Sequence, residues 1–266
     1  MKRIRYTSLA LAAIAMLVAG AAFAATPLVN SAVVKERVFN DAPGTVLTTT
    51  NAYPSFIKFE ESGFDGTFGF ANFHTWRLST NGVDAAQFEN NSIFHLRADI
   101  VMFGPGFGEM GLQLAPWWSE CCDGLFNMRL PDGEVAVFGG RLPFYSFTAA
   151  YGVHYAVGKV ASMSFDYKPN GLSAASPATI EYKYTLDGVT YSSGPLAFSE
   201  GNPNEPQYGF WGILTPAYVG GHVKHFLPGD AEGRNSNESL FGNICFTTPA
   251  TPTTTTTFGK VKALYR

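Results

Sequence analysis

Three stretches of the chain alternate apolar and polar residues without interruption, and that period restricts them to extended strands. They are Phe94-His95-Leu96-Arg97-Ala98-Asp99-Ile100, Ser162-Met163-Ser164-Phe165-Asp166-Tyr167-Lys168 and Thr179-Ile180-Glu181-Tyr182-Lys183-Tyr184-Thr185. Successive side chains of a strand point to opposite faces, so each run buries one face and wets the other; a helix would scatter the same residues around its axis. Strong turn pairs stand between such runs: Asp65-Gly66, Asn81-Gly82, Asp123-Gly124, Asp132-Gly133, Asn170-Gly171 and Asp187-Gly188. Leu125–Leu130 and Glu134–Phe138, joined by Pro131-Asp132-Gly133, read as one β-hairpin. Tyr182–Thr185 and Val189–Tyr191, joined by Leu186-Asp187-Gly188, read as another. With 23 Phe, 12 Tyr, 28 Gly and 16 Pro but only 15% charged residues, the chain has the aromatic core and turn material of many short strands. The expectation is an all-β sandwich or barrel.

The ends differ from this body. Lys2, Arg3 and Arg5 precede an apolar run from Leu9 to Ala21 and the small-x-small site Ala22-Phe23-Ala24, which reads as a secretory signal peptide over residues 1–24. The apolar run is short for a membrane span, and no later stretch is long enough for one. Residues 25–44 form a lead-in able to add an edge strand, 45–248 the sandwich domain, and 249–266 a Thr/Pro linker with the short basic-apolar tail Phe258–Arg266. The tail reads either as an attachment or sorting signal or as a frayed end. The expected location is secreted, extracellular or at the cell surface, with the periplasm as the alternative. In that oxidising setting Cys245 could bridge Cys121 or Cys122, the adjacent pair could close a strained ring, or all three thiols could stay free. The net charge of −3 and the absence of a basic face argue against a nucleic-acid partner.

Gly108-Glu109-Met110-Gly111-Leu112-Gln113, Pro116-Trp117-Trp118, the Gly133–Phe147 stretch, Tyr167-Lys168-Pro169-Asn170-Gly171 and the closing Leu240–Phe246 together resemble the concanavalin A-like lectin/glucanase superfamily over residues 45–246. The resemblance implies a jelly roll of two packed antiparallel sheets, with one sheet face or its rim loops binding sugar. Glucanases of that superfamily carry a Glu-x-Asp-x-x-Glu or Glu-x-Asp-x-Glu strand, which this sequence lacks. Glu60-Glu61, Glu109, Glu120, Glu134 and Glu181 are not so arranged, although Glu109 and Glu134 lie near strand starts and could meet across strands.

The candidate ligand-binding residues are therefore aromatic and basic: Trp117, Trp118, Trp76, Trp211 and Arg141, the indoles because a flat ring can stack on a sugar. His222 and His225 would face opposite sides of a strand, so a shared metal is awkward there; His74, His95 and His154 read as structural. The loop Asp230–Glu238 offers oxygen ligands for calcium without the regular spacing of an EF-hand, so no cofactor is expected, calcium being the one candidate. No Gly-x-Ser-x-Gly elbow or phosphate loop is present, and Gly104-Pro105-Gly106-Phe107-Gly108 reads as a strand connection. The sequence thus favours an exported non-catalytic carbohydrate-binding module. A glycan-cleaving hydrolase with an atypical carboxylate pair, or a structural surface or matrix protein, are the alternatives. The expected partner is a glycan or a cell-surface or matrix component.

Overall fold

The computed structural model describes residues 26–64, 71–104, 108–116, 118–119, 123–130, 132–199, 211–225 and 236–248. Their strands are β1 (Ser31–Asn40), β2 (Val46–Ala52), β3 (Phe56–Ser62), β4 (Asn72–Ser79), β5 (Phe94–Phe103), β6 (Gly108–Pro116), β7 (Leu125–Leu130), β8 (Val135–Phe138), β9 (Tyr145–Ser146), β10 (Ala161–Lys168), β11 (Thr179–Leu186), β12 (Val189–Ala197), β13 (Ala217–His225) and β14 (Ser236–Thr247). A single helical turn, α1 (Phe147–Tyr151), starts at Ser146, whose hydroxyl accepts the Ala149 N–H, and stops at Gly152 in the left-handed region.

The strands form two seven-stranded antiparallel sheets. The first runs β1-β4-β13-β6-β7-β8-β9, the second β12-β11-β10-β5-β14-β3-β2. The chain crosses between sheets after β1, β3, β4, β5, β9, β12 and β13, the connectivity of a jelly roll. This is the two-sheet antiparallel sandwich that the sequence resemblance implied. The three alternating runs lie side by side as β5, β10 and β11, and the lead-in supplies β1 as an edge strand. Both expected hairpins are present, β7–β8 and β11–β12. The second turns through Asp187 and Gly188, both at positive φ, as a two-residue turn that matches strand twist requires.

One contiguous core fills the space between the sheets. Phe94, Leu96, Ala98 and Ile100 of β5, Ile180, Tyr182 and Tyr184 of β11, and Phe59 of β3 meet Trp76 and Leu78 of β4, Leu112 and Leu114 of β6 and Val219 and Val223 of β13. Trp76 fits because its cross-strand partner is Gly221, where an added Cβ would lie 2.4 Å from the indole nitrogen. A glycine at that position opens the volume the indole fills.

Candidate functional site on the outer face of the first sheet

Side chains pointing away from the core normally meet water, and on the second sheet they do: Arg97 and Lys168 are exposed, while His95, Asp166, Glu181 and Lys183 are half-buried. The first sheet differs. Alternation from the core residues Trp76, Val223, Leu112 and Phe126 puts Thr75 and Arg77 of β4, His222 and Lys224 of β13, Glu109 and Gln113 of β6 and Asn127 of β7 on its outer face. All seven are more than nine-tenths buried. Sheet register gathers them into rows. Thr75, His222, Gly111 and Asn127 make one row; Arg77, Gly220 and Gln113 lie on one side of it, and Lys224, Glu109 and Arg129 on the other. Neighbouring strands are about 4.8 Å apart and successive rows about 7 Å apart.

The contacts within these rows define the chemistry. His222 Nε2 donates to the Asn127 side-chain oxygen at 2.9 Å, which leaves Nδ1 as the lone-pair nitrogen. Burial, reinforced by nearby Lys224, holds the His222 pKa well below the ordinary imidazole value, so the ring is neutral. Its Nδ1 and the hydroxyl of Thr75, its cross-strand partner, make no hydrogen bond among the described residues. Lys224 Nζ donates to Glu109 Oε2 at 2.8 Å, a buried pair that cancels both charges. The Arg77 guanidinium lies 4.3 Å from the centre of the Tyr218 ring, and Gln113 donates to the Asp123 carbonyl at 3.3 Å. Burying polar atoms without partners is unfavourable, and unsatisfied buried groups concentrate where a ligand or ordered water completes them.

The expected site residues lie in different parts of the fold. Trp118 follows the end of β6 and is exposed, while Trp117 lies outside the described residues. Arg141 is half-buried at positive φ between β8 and β9. Trp211 is half-buried, also at positive φ, and its carbonyl accepts the Ala178 N–H at 2.7 Å. Trp76 points into the core between the sheets, where its ring packs edge-on against Phe241 at 5.5 Å in the space Gly221 leaves, so it is not on the outer face. Cys245 is an exposed free thiol on β14; Cys121 and Cys122 lie outside the described residues, as does most of the acidic stretch from Asp230. Glu109 and Glu134 do not face each other as an acid pair. Glu109 is held by Lys224, and Glu134 pairs at 2.8 Å with Arg129, the residue opposite Glu109 in the sheet.

A second polar cluster sits in the core layer at one end of the sandwich, and single-residue reading of the sequence missed it. His222 and His225 face opposite sides of β13 as expected, but His225 joins His74 and Glu61. All three are fully buried, and their ligand-type atoms lie within 4.8 Å of one another. Glu61 Oε2 accepts from His74 Nε2 at 2.9 Å and His225 Nδ1 at 3.1 Å. Its Oε1 accepts from Thr45 and Asn72, each at 2.6 Å, and lies 3.4 Å from Arg37 Nη1. His225 Nε2 meets the Ser239 hydroxyl at 3.0 Å.

The protons decide what this cluster can hold. The backbone N–H of Arg37, at positive φ where the β1 register shifts, donates to His74 Nδ1 at 3.0 Å. His74 Nε2 therefore carries its proton toward Glu61 and offers a metal no lone pair. Burial pushes the Glu61 pKa up, but hydrogen bonds from His225, His74 and Thr45 outweigh it and hold the carboxyl far below the ordinary range. Burial drives the His225 pKa down. Seen this way, the cluster is an ionised carboxylate saturated with donors from both sheets.

No protein-family model and no curated protein matches the sequence. Among solved structures, the chain is similar to alginate lyase A1-II', a member of polysaccharide lyase family 7, at TM-score 0.44 and 9% identity, covering 75% of this chain and 82% of that one. It is also similar to arcelin-5, a lectin-like defence protein from Phaseolus vulgaris, at TM-score 0.38 and 11% identity over 82% and 98% of the two chains. A third is the carbohydrate recognition domain of Emp46p in its metal-free form, at TM-score 0.34 and 8% identity over 75% and 87%.

Proposed function

We propose that this is an exported carbohydrate-binding protein whose ligand surface is the outer face of the first sheet. One observation carries the reading: a patch of amide, imidazole, hydroxyl and charged side chains is buried on a sheet face that would ordinarily be wet, with Thr75 Oγ1 and His222 Nδ1 making no side-chain hydrogen bond among the described residues. A sugar presents a dense array of hydroxyls, each donor and acceptor at once, and suits such a patch of convergent polar groups. Tyr218 and exposed Trp118 add aromatic surface of the kind that stacks on a ring.

The test is retention on an array of soluble and insoluble polysaccharides, with Gln113→Ala and His222→Ala beside the native chain. Binding to at least one glycan, weakened in both variants while the fold is retained, supports the reading. Retention on none of them, or binding indifferent to both substitutions, removes it.

Glycan cleavage is the second reading, and a different detail favours it. A neutral imidazole, oriented by Asn127 and lying in the row between those of Arg77 and Lys224, has the chemistry of a general base. Glu109 and Glu134 do not supply a facing carboxylate pair for hydrolysis, because each is committed to a cation. Release of sugar fragments by the native chain, abolished in His222→Ala, would favour cleavage over binding alone.

A further inference from the structure

A sheet edge presents unpaired backbone N–H and C=O groups, and proteins guard such edges with bulges, charges, Pro or very short strands. The two sheets have four edge strands, β1, β9, β12 and β2. Three carry a guard. β1 has Lys35, Glu36 and Arg37 and a register shift between Lys35 and Phe39. β9 is two residues long. β12 breaks register opposite Glu181 and Lys183 and contains Gly194, at positive φ, and Pro195.

β2 carries none. Val46-Leu47-Thr48-Thr49-Thr50-Asn51-Ala52 holds no charge, proline or glycine. It pairs with β3 residue for residue from Val46↔Ser62 to Ala52↔Phe56, without a shift, and has no second neighbour among the described strands. Val46, Thr48 and Thr50 are exposed; Leu47 and Thr49 turn inward, Thr49 donating to Glu36 at 2.6 Å.

We infer that β2 is an assembly edge that pairs antiparallel with β2 of a second copy of this chain. Antiparallel pairing of a strand with itself places a two-fold axis at its middle residue, here Thr49. Thr48 then stands opposite Thr50 of the copy, and Leu47 opposite Asn51. The Thr48–Thr50 pairs are exposed β-branched hydroxyl residues, which suit direct cross-strand contact, and no charged residue of β2 itself meets its copy; the Glu36 carboxylates held by the two Thr49 hydroxyls flank the axis. Behind them, Thr48 is flanked by Glu60 and Thr50 by Lys58 on β3, so the row that runs through the axis joins an acidic end to a basic end. A second copy thus fits where a charged or irregular partner strand has nothing to match. The contact is isologous and uses up both β2 edges, and the guarded edges stop growth at two chains.

Mass measurement by sedimentation or light scattering of the purified chain tests this, with two double variants beside it. The native chain should have twice the chain mass at micromolar concentration. T48K/T50K sets lysines against each other across the axis and should raise the dissociation constant at least tenfold. T48K/T50E sets Lys against Glu at the same positions and should restore the dimer. Circular-dichroism melting confirms that each variant folds. A monomeric native chain, a T48K/T50K variant that remains dimeric, or a T48K/T50E variant that stays monomeric while folded would each overturn the inference.

Discussion

Replacing Glu61 by Ala should destabilise the sandwich by about 3–5 kcal/mol, the range for removing one partner from a buried charged cluster. The structure supports that size. Glu61 accepts from His74, His225, Thr45 and Asn72 and pairs with Arg37, and every one of those donors is oriented toward it. Each buried donor left without an acceptor costs about 1–3 kcal/mol, and Arg37, Thr45 and Asn72 recover part of the loss through their remaining bonds to one another and to backbone carbonyls. For a domain of this size a change of that magnitude lowers Tm by roughly 6–20 °C. Glu61→Gln retains one acceptor oxygen but turns an NH₂ toward two N–H donors, so it should fall between the native chain and Glu61→Ala. Calorimetry and urea titration of the three proteins measure the series. A Glu61→Ala loss below about 1 kcal/mol would show that the cluster is not holding the two sheets together.

Acid should weaken the fold through the same cluster. His225 and Glu61 both have folded pKa values below their ordinary 6.5 and 4.5, so the unfolded chain takes up protons first and stability falls as pH drops, beginning near 6.5 for the histidine and near 4.5 for the carboxylate. Tm unchanged between pH 7 and pH 4 would contradict this. Trp76→Ala should cost about 3–5 kcal/mol as a core truncation, whereas Trp118→Ala, at a side chain that stays 38% exposed, should cost clearly less; chemical denaturation of both variants separates them. Gly221→Ala should destabilise by about 1–3 kcal/mol, because its Cβ meets the Trp76 indole; calorimetry showing no change would mean the core has slack there.

The strands were legible because their signal is local. Phe94–Ile100, Ser162–Lys168 and Thr179–Thr185 carry the period of 2 in their own residues, and Asp187-Gly188 names its turn without reference to anything distant. The site was harder to read because burial is not local. Trp76 resembles an exposed binding Trp until Gly221, far along the chain, is seen to make room for it in the core. Glu61 and His225 are separated by 164 positions, and no spacing rule brings a carboxylate on β3 to an imidazole on β13. The outer face of the first sheet escaped for a related reason. Thr75, Arg77, Gln113 and His222 occupy the polar half of an alternating pattern, which sequence alone assigns to water.

The two imidazoles of β13 tie the phase of that strand to both clusters at once. His225 must look inward to reach Glu61 and His222 outward to reach Asn127. Slipping a strand by one residue exchanges its faces. A single-residue insertion or deletion between His222 and His225 would therefore put both imidazoles on one face of the strand, and no side-chain repacking could then serve both clusters. Length variation among related sequences should accordingly concentrate in the connections and leave this segment at fixed length.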